Sequence, residues 1–201
     1  MVASTIVLSA TAQHVLLAYS ALLLSIAIAV PLAVASLHSR PLASAVMTAA
    51  NLVQAIPSLA VVAFVVPLLG IGYYPALIVL VFRALLPIVK NTWIGLSTVD
   101  RGMIAAAEGI GLTGWQITRY IRFPLAYPAI FAGIRFAAIL TNSVAVLTAI
   151  IGSGGLGGLI LEGIAGSNVT KLLSGAVPAI LIALTVDRAL SVMERRLEKK
   201  K

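Results

Sequence analysis

Few residues in this chain have the chemistry to make or break a bond. His14 and His38 are the two histidines, cysteine is absent, and the six carboxylates offer no recognisable pairing with a nucleophile or with each other. No two histidines sit at metal-ligand spacing, and without cysteine there is neither a disulfide nor a thiolate ligand. Both histidines read as polar residues near a membrane face. The run GSGGLGG at 152–158 looks like a phosphate loop but lacks the closing Gly-Lys-Ser/Thr. It reads instead as a tight turn entering a short re-entrant or interfacial helix, or as a contact for another protein. With no nucleotide loop the chain cannot draw on ATP by itself, so any ATP-driven work needs a partner.

The remaining chemistry is that of polar groups set among apolar ones. Asn51 and Gln54 interrupt the run NLVQAIPSLAVVAFVVP. Three residues apart, they share a helix face, and lipid would leave both amides unpaired, so they face protein or a cavity. Pro57 removes a backbone hydrogen bond and kinks the helix there, as a fixed bend or as a gating hinge. Thr141, Asn142, Ser143 and Thr148 make a second polar stretch. Two readings stay open for it: lining a pathway or joining helices. Arg83 and Arg135 also fall inside apolar runs. Arg83 reaches the inner surface only if its helix tilts, and an ion pair with Asp187 would relieve Arg135.

The elements that must hold these groups are membrane spans. Of 201 residues, 61% are hydrophobic and 10% charged, against roughly 25% charged in a soluble domain. Apolar runs at 15–37, 43–69, 74–89, 126–151 and 172–186 approach the roughly 20 residues that cross about 30 Å of hydrocarbon. The third reaches that length only by including Arg83 and the residues around Lys90. The expected fold is all-α and polytopic, about five transmembrane helices in a single domain over 1–201. Residues 1–13 carry no basic residue and the first run is too long for a signal peptide, so it stays as a span.

An odd number of spans places the termini on opposite sides. Arg188, Arg195, Arg196, Lys199, Lys200 and Lys201 crowd the tail, which marks it as cytoplasmic and the N-terminus as outside. Arg40, Lys90, Arg101, Arg119 and Arg122 then also fall inside, leaving Lys171 alone outside. The net charge of +8 is thus explained by membrane orientation, and nucleic acid is not an expected partner. Tyr73 and Tyr74, in the outer turn, read as interfacial aromatics.

Residues 98–124 are too polar to cross and too long for a simple turn. Asp100 can cap a helix from Arg101 through Ala105, Ala106, Ala107 and Glu108, ended by Gly109 and Gly111. Thr113 can cap a second helix over 114–122, stopped by Pro124. Three alanines give a smooth face that another protein could grip closely. From the residues alone, a docking element and an interfacial amphipathic linker both remain open.

This loop resembles the cytoplasmic element of ATP-binding-cassette importer permeases, whose pattern is Glu-Ala-Ala, three residues, Gly, nine residues, Ile-x-Leu-Pro. Here Ala105-Ala106-Ala107 is followed by Gly111 and by Ile121-Arg122-Phe123-Pro124 at the same spacing. Ala105 replaces the usual Glu, with Glu108 one turn further on, and Phe123 replaces the usual Leu. QAIPSLAVVAF at 54–64, ALLPIVKNTWIGL at 84–96, FPLAYPAIFAGIRFA at 123–137 and AIIGSGGLGGLILEGI at 149–164 extend the resemblance to the glycine betaine/carnitine/choline permeases. TNSVAVLTA at 141–149 departs from the Gly- and Thr-rich version usual there.

The resemblance implies an inner-membrane permease subunit, without an ATPase site of its own, that moves a small osmoprotectant such as glycine betaine, carnitine or choline. It implies a second copy of the chain, two cytoplasmic ATPase subunits that bind ATP and Mg, and an extracytoplasmic solute-binding protein. Ala105, Ala106, Ala107, Glu108, Gly109, Gly111 and Thr113 would couple to the ATPase, while Asn51, Gln54, Pro57, Thr141, Asn142, Ser143 and Thr148 are the candidates to line or gate the pathway. An importer for an amino acid or a betaine-like thiol, and a non-transporting membrane scaffold, are the competing readings. The scaffold does not explain the spacing from Ala105 to Pro124.

Overall fold

The computed structural model describes residues 2–198; Lys199, Lys200 and Lys201 of the basic tail lie outside that range. Helix α1 covers Val2–Leu37, α2 Arg40–Ala55, α3 Ser58–Leu69 and α4 Tyr73–Ser97. Short helices α5 (Arg101–Gly109) and α6 (Gly114–Ile117) follow, then α7 (Phe123–Leu147), α8 (Leu156–Ala165) and α9 (Val169–Glu198). Four helical stretches are long and apolar enough to cross a membrane, and α2 with α3 supplies a fifth crossing if that bent pair is one span. The expected all-α polytopic architecture is the one observed.

Helices α1, α4 and α7 form the centre. Small residues run through their contacts, where Ala18, Ala21, Ala29, Ala33, Ala84 and Ala137 are all fully buried beside larger ones such as Leu80 and Ile88. In a bilayer such residues let backbones approach and gain dispersion where no hydrophobic drive exists between helices. The α4–α7 contact is tight at Gly95, where a Cβ would sit 2.7 Å from the Ala129 methyl, and at Gly133, where it would meet Asn91.

Three boundaries differ from expectation. Helix α1 begins at Val2; nothing in VASTIVLSATAQ breaks a helix, so the segment read as an outer loop extends the span. The second run is broken outright, with a 101° turn between α2 and α3. Pro57 lacks the N–H that would continue the ladder, and Ile56 before it is extended (φ −75°, ψ 126°). A kink of a continuous helix is thus too weak a description. Finally, Pro124 does not stop the chain after α6. A π-helical turn at Thr118–Arg122 carries it directly into α7, in whose first turn Pro124 lies, where a missing N–H is tolerated.

At the end of the bundle away from α5 and α6, Gly72 N–H donates to the Ile151 carbonyl (2.6 Å), tying the α3–α4 turn to the end of α7. Tyr73 packs against the core while Tyr74 is exposed, so only the second is free for an interface. The glycine run behaves as a turn into a short helix: Gly152, Gly154 and Gly155 have positive φ, and α8 starts at Leu156. Helix α8 lies so close to α7 that a Cβ on Gly157 would fall inside the shell of the Val146 carbonyl, whereas one on Gly158 would meet nothing. Gly157→Ala is therefore expected to destabilise the solubilised protein by roughly 1–3 kcal/mol, and Gly158→Ala to leave it near wild type, as thermal unfolding in detergent would report.

Candidate functional site

The segment after α4 protrudes as a helix–turn–helix. Asp100 Oδ1 accepts from the Met103 N–H at 3.0 Å and caps α5. Gly111, at φ +88°, makes the left-handed turn that ends it. Thr113 and Gln116 form a reciprocal capping box at the start of α6. Ala105, Ala106, Glu108 and Gly109 are exposed and Ala107 is buried. Ile110, at the tip, is 80% exposed, and Met103, Trp115 and Tyr120 are exposed as well. Apolar side chains on a polar, protruding element form a surface suited to another protein. Glu108 and His38 line one small cleft with Arg122 where this element meets the end of α1.

The polar residues of the spans separate into two groups. Thr141, Asn142 and Thr148 are buried between helices of the one chain. Asn142 donates from Nδ2 to the Ala179 carbonyl (3.2 Å) and its Oδ1 lies 3.1 Å from His14 Nε2, so one amide joins α1, α7 and α9. His14, 1% exposed, is thus an interior residue, contrary to its expected interfacial place; the early start of α1 sets it more than three turns into the helix. Thr141 donates to Ala137 O, and Thr148 accepts from Ser153 Oγ. Ser143 alone of the four is exposed, beside a cleft bounded by α8 and α9.

Asn51 and Gln54 belong to the second group. Both are exposed on α2. Asn51 Oδ1 accepts from Lys90 Nζ at 2.9 Å, and Gln54 opens onto a cleft with Pro87, Lys90, Asn91, Ala132 and Phe136. Pro57 lies at the break itself, whose freed polar groups are met by a residue from another helix. Arg83 Nη1 donates to the carbonyls of Val53 and Ile56, each at 3.0 Å, and Nη2 to Ser58 Oγ at 2.9 Å. Arg83 is buried, so it serves the elbow and does not snorkel.

Arg135 pairs with Asp187 (2.9 Å), as its position called for, and also with Glu194 (3.0 Å), which the sequence reading missed. Asp187 and Glu194 stand seven residues apart on α9, two turns on one face, and that spacing is the signal for the second partner. Asp187→Asn alone is expected to change stability little, because Glu194 still holds the guanidinium. Adding Glu194→Gln leaves a cation unpaired, and thermal unfolding should then drop by more than the two single effects together.

A family model described as binding-protein-dependent transport system inner membrane component matches residues 15–199. The chain belongs to this family. The permease is 40% identical to the glycine betaine/carnitine/choline transport system permease protein OpuCB of Bacillus subtilis, over 94% of this chain and 88% of that one. It is 40% identical to the carnitine transport permease protein OpuCB of Listeria monocytogenes, over 94% and 87%. With the osmoprotectant import permease protein OsmW of Salmonella typhimurium it shares 41% identity over 89% and 86%. These similarities place the permease in the glycine betaine/carnitine/choline group. Its fold is that of a chain of the methionine transporter MetNI in an inward-facing conformation (TM-score 0.83, 20% identity, 96% of this chain and 97% of that one). A chain of an amino acid ABC transporter is similar too (TM-score 0.80, 17% identity, 96% and 94%).

Proposed function

We propose that this permease is the membrane-spanning subunit of an ATP-driven, binding-protein-dependent importer of an osmoprotectant such as glycine betaine, carnitine or choline. The observation that carries the reading is the exposed apolar tip around Ile110, capped at both ends and set at the spacing of a coupling element. The activities named for the relatives of about 40% identity supply the solute class. Ala105, Ala106, Ala107, Glu108, Gly109, Gly111 and Thr113 shape the surface that meets a cytoplasmic ATPase. The C-terminus is then cytoplasmic and the N-terminus outside, in keeping with the basic tail.

Two copies enclose the pathway, with Asn51, Gln54, Pro57 and Ser143 on or beside its wall, while Thr141, Asn142 and Thr148 hold the helices that form it. Nucleotide bound by the ATPases and a loaded binding protein outside bias one inward–outward equilibrium. The test is ATP-dependent uptake by proteoliposomes containing the permease, its ATPase and its binding protein, offered labelled glycine betaine, carnitine and choline. Accumulation of one of these is the expected result. No accumulation of any of them by a verified complex would refute the reading.

A further inference from the structure

The protruding element leaves the bundle at the end of α4 and returns to it at the start of α7, and one side chain spans the two. Arg122 Nη1 donates to the Leu96 carbonyl at 2.7 Å, across 26 residues of chain. Leu96 stands in the last turn of α4, which ends at Ser97, so its carbonyl is one of those that a helix end leaves without an intrahelical donor. The Ile94 carbonyl in the same turn takes the Thr98 N–H, whereas Leu96 receives its donor from the far side of the neck. Among the described residues no carboxylate pairs with Arg122, so no stronger acceptor competes for it.

Arg122 belongs to the face of α7 that packs on α4. Arg122, Ala126, Ala129 and Gly133 follow one another at steps of four, three and four, which is one side of a helix. A Cβ on Gly95 would meet both Ala126 and Ala129, and one on Gly133 would meet Pro87 and Asn91. Small residues thus hold α4 and α7 together as far as Gly95. One residue further out the helices part, and there the stripe ends in a side chain long enough to cross the gap. The π-helical turn Thr118–Arg122 adjoins this point, and such turns are places where helices bend. Without the bond between Arg122 and Leu96, a swing of the tip would be taken up at that turn. With it, the swing passes to α4 and α7 together.

We infer that Arg122 is a positioning residue for energy coupling: by bracing the end of α4 against the start of α7 it makes the docking element and both spans one lever. The inference rests on the function proposed above and adds to it a residue at the neck, outside the surface that meets the ATPase.

The test uses the reconstituted permease–ATPase complex with its binding protein and whichever of glycine betaine, carnitine and choline the wild-type complex accumulates. Arg122→Met keeps the apolar stem and removes the donor. Solute-stimulated ATP hydrolysis and uptake are expected to fall about tenfold, the scale of one lost charge-assisted hydrogen bond, while the ATPase co-purifies as with wild type. Arg122→Lys, which retains a donor, should recover most of both, a rescue that packing alone would not give to lysine over methionine. Loss of ATPase binding in step with stimulation, or normal stimulation in Arg122→Met, overturns the inference. A second measurement needs neither transport nor ATPase. The chain has no cysteine, so spin labels at Ala106→Cys on α5 and at Ile139→Cys, exposed on α7, report the distance from the element to the bundle, with labelled copies diluted among unlabelled ones. A narrow distribution that broadens in Arg122→Met and narrows again in Arg122→Lys supports the brace even if the wild-type complex accumulates none of the three solutes, in which case the proposed function alone fails. A broad distribution with Arg122 in place, or one that Arg122→Met leaves unchanged, overturns the brace.

Discussion

Replacing Arg83 with leucine is expected to abolish uptake and to destabilise the permease by about 3 kcal/mol or more, because hydrogen bonds to charged groups contribute roughly 1.5–3 kcal/mol each and are not fully additive. The guanidinium holds the Val53 and Ile56 carbonyls and the Ser58 hydroxyl across the break between α2 and α3. Leucine fills part of the volume and takes the donor from the Ile56 carbonyl and the Ser58 hydroxyl, leaving the Val53 carbonyl with the Ile56 N–H alone, where water is scarce. For a chain of this size the loss corresponds to a fall in unfolding temperature of roughly 6–12 °C. Lysine should rescue only in part, since a single ammonium cannot reproduce the planar fork that spans the break. Pro57→Ala in the leucine background tests the cause. It restores an N–H and allows the helix to close over the gap, so it should return some of the lost stability without returning transport. An Arg83→Leu protein with normal unfolding and normal uptake would show that the elbow needs no clamp.

Both halves of that clamp were legible separately. A proline within an apolar run frees backbone groups, and an arginine within a span demands partners. Their meeting was not legible, because Arg83 and Ile56 are 27 residues apart and no local pattern links them. The same limit explains Asn142: its depth in a polar stretch left pathway and packing equally open, and the deciding partners, His14 and the Ala179 carbonyl, come from the first and last long helices. Where the physics is local, the sequence carried further. Asp100 and Thr113 cap the helices assigned to them, and Gly111 takes the left-handed conformation that a helix end favours. Arg135 and Asp187 met because an unpaired charge on each of two neighbouring spans has few other outlets. Pro124 misled for a local reason as well: a π-helical turn absorbed the constraint that was expected to end the helix.

The tip of the protruding element gives the second large effect. Ile110→Asp is expected to cut solute-stimulated ATP hydrolysis and co-purification of the ATPase about a hundredfold, the scale of an interface hot spot worth roughly 2–4 kcal/mol. Ile110 is 80% exposed, so its side chain contributes little to the permease itself and the unfolding temperature should not move. In a docked complex the same carboxylate would be desolvated without a partner. Gly111→Val should reach a similar functional loss by another route. No atom lies within 4 Å of the Cβ it would add, yet φ is +88°, a conformation that costs a β-branched residue roughly 1–2 kcal/mol. The strain re-aims the tip without blocking it, so the valine variant should still bind the ATPase weakly while losing stimulation. If Ile110→Asp binds the ATPase as tightly as wild type and is stimulated normally, the ATPase docks elsewhere on this chain, and the spacing from Ala105 to Pro124 has to be explained by the turn it folds into.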